Sequence, residues 1–167
     1  RMLMANVCQC ACRLDMTDCR FLASLPIFHS FGMTVNMMLS MMTGCMVCSY
    51  PNPTDARTLN ELIKRYKLTL VCATPTFARA MLRRADADTF KSVRYFVLGA
   101  EKLQPDLEQE FIDKCGVYPL EGYGLTETSP VCGVNLLQGE PTEEQPYFVP
   151  GYKSGSIGPV SYTHLTL

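Results

Sequence analysis

Residues 69–98 read TLVCATPTFARAMLRRADADTFKSVRYFVL and contain a complete strand–helix–strand pattern. The apolar run at 69–73 predicts a buried strand, and the Thr-Pro pair after it is a typical helix start, with Thr as the N-cap and Pro at the first helical position. A helix is predicted over 77–85 and a second strand over 94–98. Because a helix joins the two strands through short connections, we expect them to lie parallel in one sheet.

The same alternation continues on both sides of this unit. Upstream, the uncharged stretch 21–54 predicts a short strand, a loop, a buried Met-rich helix and another strand. The further predicted elements are strands at 45–50 and 117–121 and helices at 55–67 and Pro105–Cys115. Gly116 closes the last helix, and the last strand runs into a glycine-rich turn. We therefore predict an α/β fold with a largely parallel sheet and flanking helices.

The composition limits the class of protein. Of the 167 residues, 47% are apolar and 19% charged, and the net charge is −1. This balance excludes a disordered charged tail and gives no basic surface for nucleic acid. Within 21–54 the longest part without Pro or Gly, 33–43, is shorter than the roughly 20 residues of a membrane-spanning helix. We expect no nucleic-acid partner and no transmembrane span in this segment.

Nine cysteines raise the question of a metal or redox site. Three form C-x-C-x-C at 8–12 and two form C-x-x-C at 45–48, but no second pair stands at zinc-finger spacing. An odd number of cysteines does not fit a fully paired disulfide framework. We expect these side chains to pack as small apolar residues.

Three segments with chemically useful side chains follow predicted strands, at 28–29, 99–101 and 121–130. Ligands of parallel α/β sheets lie beyond the carboxyl ends of the strands, so we expect the three segments to form one site.

The third segment, EGYGLTETSP, has the richest chemistry. The ring of Tyr123 can lie against a flat heterocycle, and Thr126 offers a hydroxyl and a backbone N–H to a phosphate. Glu127 is a hard carboxylate ligand suited to Mg²⁺ held together with phosphates. The alternative interpretation is a tight turn with a capping Thr and a solvated Glu.

Three motifs resemble those of the adenylate-forming superfamily, which includes acyl-CoA synthetases, luciferases and peptide-synthetase adenylation domains. They are LPIFHSFGM at 25–33, VLGAEKL at 97–103 and EGYGLTETSP at 121–130, in the order that the family shows. Within the superfamily they are most similar to the acyl–acyl-carrier-protein synthetase part of bacterial bifunctional 2-acylglycerophosphoethanolamine acyltransferases. The resemblance implies that 1–159 is an internal fragment of the large AMP-binding N-terminal domain.

The resemblance also implies an activity and a set of site residues. A ligase of this family uses ATP and Mg²⁺ to convert a fatty acid to acyl-AMP, then transfers the acyl group to the thiol of acyl carrier protein or coenzyme A. The implied catalytic residues are His29, Thr126 and Glu127, and Glu127 is the implied Mg²⁺ ligand. The implied nucleotide-binding residues are Gly99, Ala100, Glu101, Glu121, Gly122, Tyr123, Gly124 and Thr126. The implied acyl-binding residues are Phe28, His29, Phe31 and Gly32.

Further expectations concern the ends of the chain and its location. The family's phosphate loop would precede Arg1, and its ribose-binding Asp and adenylation Lys would follow Pro159, so the chain alone is expected to be inactive. Residues 160–167, VSYTHLTL, resemble the translation of a transposase sequencing adapter and are predicted to be a non-native tail. The family implies a cytoplasmic location, or the cytoplasmic face of the inner membrane for a full-length protein.

Other classes stay open at this point. Within the enzymes, the runner-up is an acyl-CoA or aryl-CoA ligase, or a peptide-synthetase adenylation domain. The alternatives that are not enzymes are a non-catalytic nucleotide-binding α/β module and a membrane-interaction protein built around residues 33–46. The acyl chain length is not determined, because pocket depth depends on side chains packed in three dimensions.

Overall fold

A computed structural model describes residues 1–136 and 152–158. The predicted tail at 160–167 lies outside these residues. The helices are α1 (Met2–Arg13), a π-helical segment (Gly32–Leu39) continuing into α2 (Ser40–Thr43), α3 (Ala56–Tyr66), α4 (Pro75–Arg83), α5 (Pro105–Cys115) and a 3₁₀ turn (Thr126–Thr128). The strands are β1 (Arg20–Ala23), β2 (Met46–Ser49), β3 (Leu70–Ala73), β4 (Tyr95–Leu98), β5 (Pro119–Gly124) and β6 (Val131–Val134).

The six strands form one sheet in the order β2-β1-β3-β4-β5-β6. The first five run parallel, and β6 pairs antiparallel with β5. This confirms the predicted α/β fold with a largely parallel sheet. Because β1, β4 and β5 are parallel, their carboxyl ends, at Ala23, Leu98 and Gly124, lie along the same edge.

The central strands β3 and β4 are buried on both faces, as strands of parallel sheets generally are, whereas the edge strand β2 is mostly exposed. On one face, a core lies between the strands and α3, α4 and α5, with Phe90, Phe96 and Phe111 at its centre. The ring centroids in this trio are 5.0–5.8 Å apart. On the other face, α1 and the π-helical segment cover a second core that contains Phe21 and Leu70.

The helix ends follow the local sequence signals. Asp55 accepts a hydrogen bond from the Thr58 backbone N–H at 3.2 Å and begins α3. The Thr74 hydroxyl accepts one from the Phe77 N–H at 3.3 Å, with Pro at the first position of α4. Gly116 ends α5 in the left-handed conformation, at a φ of 64°. The predicted caps of α4 and α5 are therefore confirmed.

Two local predictions differ from the structure. The predicted strand 117–121 begins two residues later, at Pro119, and continues into the predicted glycine-rich turn as far as Gly124, because β6 returns beside it as an antiparallel partner. The helix after β1 is π-helical over its first eight residues and only partly buried, since Met41 is 75% exposed. Within residues 1–136 and 152–158, none of the helices combines the length and the hydropathy of a membrane-spanning segment.

Candidate functional site

A cavity of about 300 Å³ opens at the carboxyl edge of the sheet. The three predicted segments meet there: the loop after β1, the loop after β4, and the end of β5 with the 3₁₀ turn. The polar groups at the cavity come from His29, Ser30, Tyr123, Thr126 and Glu127. Its remaining wall is mostly apolar, so one cavity combines a polar region with a hydrophobic one.

The loop after β1 is ordered by hydrogen bonds to His29 and Ser30. The backbone N–H of Phe31 donates to Nδ1 of His29 at 3.2 Å, so in the neutral imidazole the proton lies on Nε2. The Ser30 and Thr126 hydroxyl oxygens lie 3.1 Å apart and share a hydrogen bond. This bond joins the loop after β1 to the 3₁₀ turn after β5.

The 3₁₀ turn is held by a side chain that the sequence analysis did not single out. The Thr128 hydroxyl accepts from the backbone N–H of Leu125 at 3.0 Å and lies 2.8 Å from the carbonyl oxygens of Leu125 and Pro130. Thr126 and Glu127, within this turn, are exposed. Among the described residues, no hydrogen bond or ion pair engages the Glu127 carboxylate, so it is available to a ligand.

Glycines bring the backbone and rings of the site close together. A Cβ at Gly99 would lie 3.1 Å from the Phe31 ring, and one at Gly124 would lie 1.8 Å from the Pro130 carbonyl oxygen. Ala100 adopts the left-handed conformation, with a φ of 67°, which is uncommon for a residue with a side chain. The loop after β4 is therefore under backbone strain at the edge of the cavity.

Nine of the predicted site residues line the cavity: His29, Phe31, Gly99, Ala100, Gly122, Tyr123, Gly124, Thr126 and Glu127. Four others do not line it: Phe28, Gly32, Glu101 and Glu121. The roles assigned to all of them stay predictions.

Each of these four residues has a different environment. Phe28 is 92% exposed, and Gly32 is buried where a Cβ would lie 2.2 Å from the Pro26 carbonyl oxygen. The Glu101 carboxylate accepts from the hydroxyl and backbone N–H of Thr76, at 2.7 and 3.3 Å. Glu121 is buried, and its carboxylate accepts from the backbone N–H of Leu103 at 3.2 Å. Both carboxylates thus bind neighbouring protein groups.

Sequence reasoning missed most of the apolar wall. It includes Leu14, directly after α1, and side chains of α1, the π-helical segment, β3, β4 and β6, among them Cys10, Val35, Leu39, Leu70, Cys72, Val97, Val131 and Val134. Burial raises the pKa of the Cys10 thiol to about 11, and burial also raises the pKa of Cys72, so both stay neutral at ordinary pH. All nine cysteines are free thiols. In the described part of the chain, no three His, Cys, Asp or Glu side chains form a metal-binding group.

A cavity at this place is typical of α/β proteins that bind a ligand beyond the carboxyl ends of parallel strands. A model of the family described as AMP-binding enzyme matches residues 1–160. The chain belongs to this family.

Curated relatives and solved structures agree with that assignment. The long-chain-fatty-acid–CoA ligase of Escherichia coli O157:H7 is 31% identical over 147 residues, which are 86% of this chain and 24% of the relative. The ligase of the same name from Bacillus subtilis is 29% identical over 161 residues, 93% of this chain and 27% of the relative. ATP-bound MatB from Rhodopseudomonas palustris has a TM-score of 0.78 at 26% identity, covering 95% of this chain and 29% of that structure. The chain thus spans about a quarter of the length of these relatives.

Proposed function

We propose that residues 1–159 are part of the nucleotide-binding domain of an ATP-dependent, AMP-forming fatty acid–thiol ligase. One observation carries the proposal: the cavity places a histidine, two paired hydroxyls and an available carboxylate beside a hydrophobic wall. A fatty acid has the same two-part chemistry, with a charged head and an apolar tail. The family assignment and the fatty-acid ligases among the relatives support this interpretation.

The proposed reaction has two steps. A carboxylate oxygen of the fatty acid attacks the α-phosphorus of ATP, and the bond from that phosphorus to the pyrophosphate leaving group breaks. A thiol then attacks the acyl carbonyl carbon as a thiolate, and AMP leaves with the electron pair of the broken acyl–phosphate bond. Transfer of this kind depends mainly on positioning and charge stabilisation, which fixed hydroxyl and N–H groups can supply.

The polar region provides groups for the first step. The Thr126 hydroxyl, whose oxygen can accept from Ser30, would donate its proton to an α-phosphate oxygen. His29 has Nδ1 occupied by a backbone N–H, so its Nε2–H is the group that can face the acyl carboxylate. Tyr123, about half exposed, would stack on adenine, with the backbone of Gly99 and Gly122 close by.

The donor set fits a magnesium ion bound together with the nucleotide. Mg²⁺ prefers oxygen ligands and is usually held by one or two carboxylates plus substrate phosphates. Glu127 would hold it, because its carboxylate is exposed at the cavity beside Thr126. When bound, the ion supplies positive charge next to the phosphate oxygens.

Two thiol acceptors are proposed for the second step. Coenzyme A is supported by the relatives, which are CoA ligases. Acyl carrier protein is favoured by the similarity of the motifs to the bifunctional bacterial enzymes. Mixing the purified full-length enzyme with ATP, palmitate and each acceptor separately distinguishes them, since only the true acceptor yields a thioester.

The first step is tested by palmitate-dependent exchange of pyrophosphate into ATP in the full-length enzyme. Glu127→Gln is expected to reduce exchange about 100-fold, the size typical of one preorganised electrostatic contact to a transition state. The matched control is Glu61→Gln, which removes a carboxylate from an exposed ion pair on α3. Exchange that is equal in both variants would contradict the role of Glu127, and absence of exchange in the wild type would contradict the proposed function.

We also infer that residues 160–167 are not native to this protein, because they read as translated adapter DNA. Sequencing the gene across this point is expected to show different codons after Pro159. A genomic read that contains VSYTHLTL would contradict this inference.

A further inference from the structure

A second, smaller cavity of about 30 Å³ lies between α1 and β6, next to the main one. Four residues line both cavities: Cys10 from α1, Leu14 directly after that helix, and Val131 and Val134 from β6. These four side chains therefore form a partition between the two spaces. The far side of the small cavity is lined by Gln9, Arg13 and Leu136.

The spacing between α1 and β6 is held by a buried asparagine. The Asn6 side-chain amide donates to the Val131 carbonyl oxygen at 2.7 Å, and its oxygen accepts from the Val131 N–H at 3.1 Å. Asn6 and Cys10 are four residues apart in α1, so they share one face of the helix, and Leu14 follows the helix with extended backbone. The amide thus anchors the helix face that carries Cys10.

The size of the main cavity limits what it can hold. An apolar cavity of about 150 Å³ binds a six-carbon ring, so the main cavity holds roughly a dozen carbon atoms. Its polar region must also admit the reacting carboxylate and the nucleotide groups proposed to contact Tyr123 and Thr126. A fatty acid of sixteen carbons therefore needs space beyond the main cavity, and the small cavity behind the partition adjoins it.

We propose that the tail of a long acyl chain passes between α1 and β6, and that Cys10 and Val134 determine the longest chain accepted. This inference rests on the proposed function and adds its chain-length preference. The partition is apolar, since Leu14, Val131 and Val134 are aliphatic and the Cys10 thiol is neutral. It can therefore contact a hydrocarbon tail without leaving a charge unpaired.

The test compares kcat/KM for palmitate and for octanoate in the full-length enzyme. Cys10→Leu narrows the passage and is expected to lower the palmitate-to-octanoate ratio about tenfold or more, the size of effect that small changes in an apolar pocket produce. Val134→Ala widens it and is expected to raise the ratio. Cys8→Leu makes the same change on an exposed position of α1 and is expected to leave the ratio unchanged.

The outcomes separate this inference from the proposed function. An unchanged palmitate-to-octanoate ratio in both Cys10→Leu and Val134→Ala would overturn the proposed passage between α1 and β6. A wild-type enzyme that activates octanoate but not palmitate would overturn it too. In either case the proposed ligase activity would stand. If Cys10→Leu does not fold, Val134→Ala alone decides. A wild type that neither activates nor binds any fatty acid in calorimetric titration overturns both.

Discussion

Replacing Ser30 with alanine is expected to slow adenylate formation without unfolding the protein. In the structure the Ser30 and Thr126 hydroxyls share a hydrogen bond of 3.1 Å. A hydroxyl that donates to a phosphate must direct its proton away from its neighbour, so Ser30 has to be the donor while Thr126 accepts. Removing Ser30 leaves the Thr126 hydroxyl free to rotate, and its proton no longer has a preferred direction.

The size of the effect follows from the kind of bond that is lost. A hydrogen bond between neutral groups contributes about 0.5–1.5 kcal/mol net. Since each 1.36 kcal/mol changes a rate tenfold, kcat should fall about 2- to 12-fold. The global stability should change by less than about 0.5 kcal/mol, because the Ser30–Thr126 bond is at the exposed edge of the sheet.

The assay is fatty-acid-dependent exchange of pyrophosphate into ATP, with kcat and KM measured separately in the full-length enzyme. Ser30→Thr retains a hydroxyl and should keep most of the activity, and Ser49→Ala, on the exposed edge strand β2, controls for general effects of the substitution. A Ser30→Ala enzyme with the wild-type kcat would refute the reasoning. So would a Ser30→Thr enzyme as slow as Ser30→Ala.

Two further predictions address packing and ionisation. Phe96→Ala should lower the free energy of unfolding by about 3–5 kcal/mol in urea titrations, because the Phe96 ring is fully buried against two other rings. The control Phe28→Ala, at an exposed position, should change the free energy of unfolding by less than about 0.5 kcal/mol. Equal losses in the two variants would contradict the described core. Since burial raises the pKa of Cys10 to about 11, about one Cys10 thiol in a thousand is ionised at pH 8. The rate of Cys10 alkylation by iodoacetamide should therefore be low at pH 8 and rise about tenfold per pH unit up to about pH 11. Peptide mapping should find the exposed Cys8 modified before the half-buried Cys10, and equal rates at pH 8 would contradict the raised pKa of Cys10.

The parts of the fold that could be predicted are those governed by local sequence. The helix α5 has its predicted bounds, Pro105–Cys115, because Pro at its start and Gly116 at its end are both explicit signals. The extension of β5 through Gly124 could not be predicted, since it depends on pairing with β6, whose sequence gave no separate strand signal. Two glycines favour a turn locally, but hydrogen bonds to a returning strand stabilise the extended form.

The candidate site also has a part that could be predicted from the sequence and a part that could not. Its polar region could be predicted because the segments at 28–29, 99–101 and 121–130 each follow a parallel strand. Parallel strands end at the same edge of the sheet, so these segments lie together whatever side chains they carry. Its apolar wall was missed because Cys10 comes from α1 and Leu14 directly follows it, and α1 reaches the cavity through tertiary packing against β6. The four-residue spacing of Asn6 and Cys10 was visible in the sequence, yet the same spacing is typical of any helix that packs on a core. Only the reciprocal hydrogen bonds between Asn6 and Val131 identify which strand that face meets. The sequence could therefore predict the polar groups of the candidate site, whereas the proposed limit on acyl chain length depends on how α1 and β6 pack.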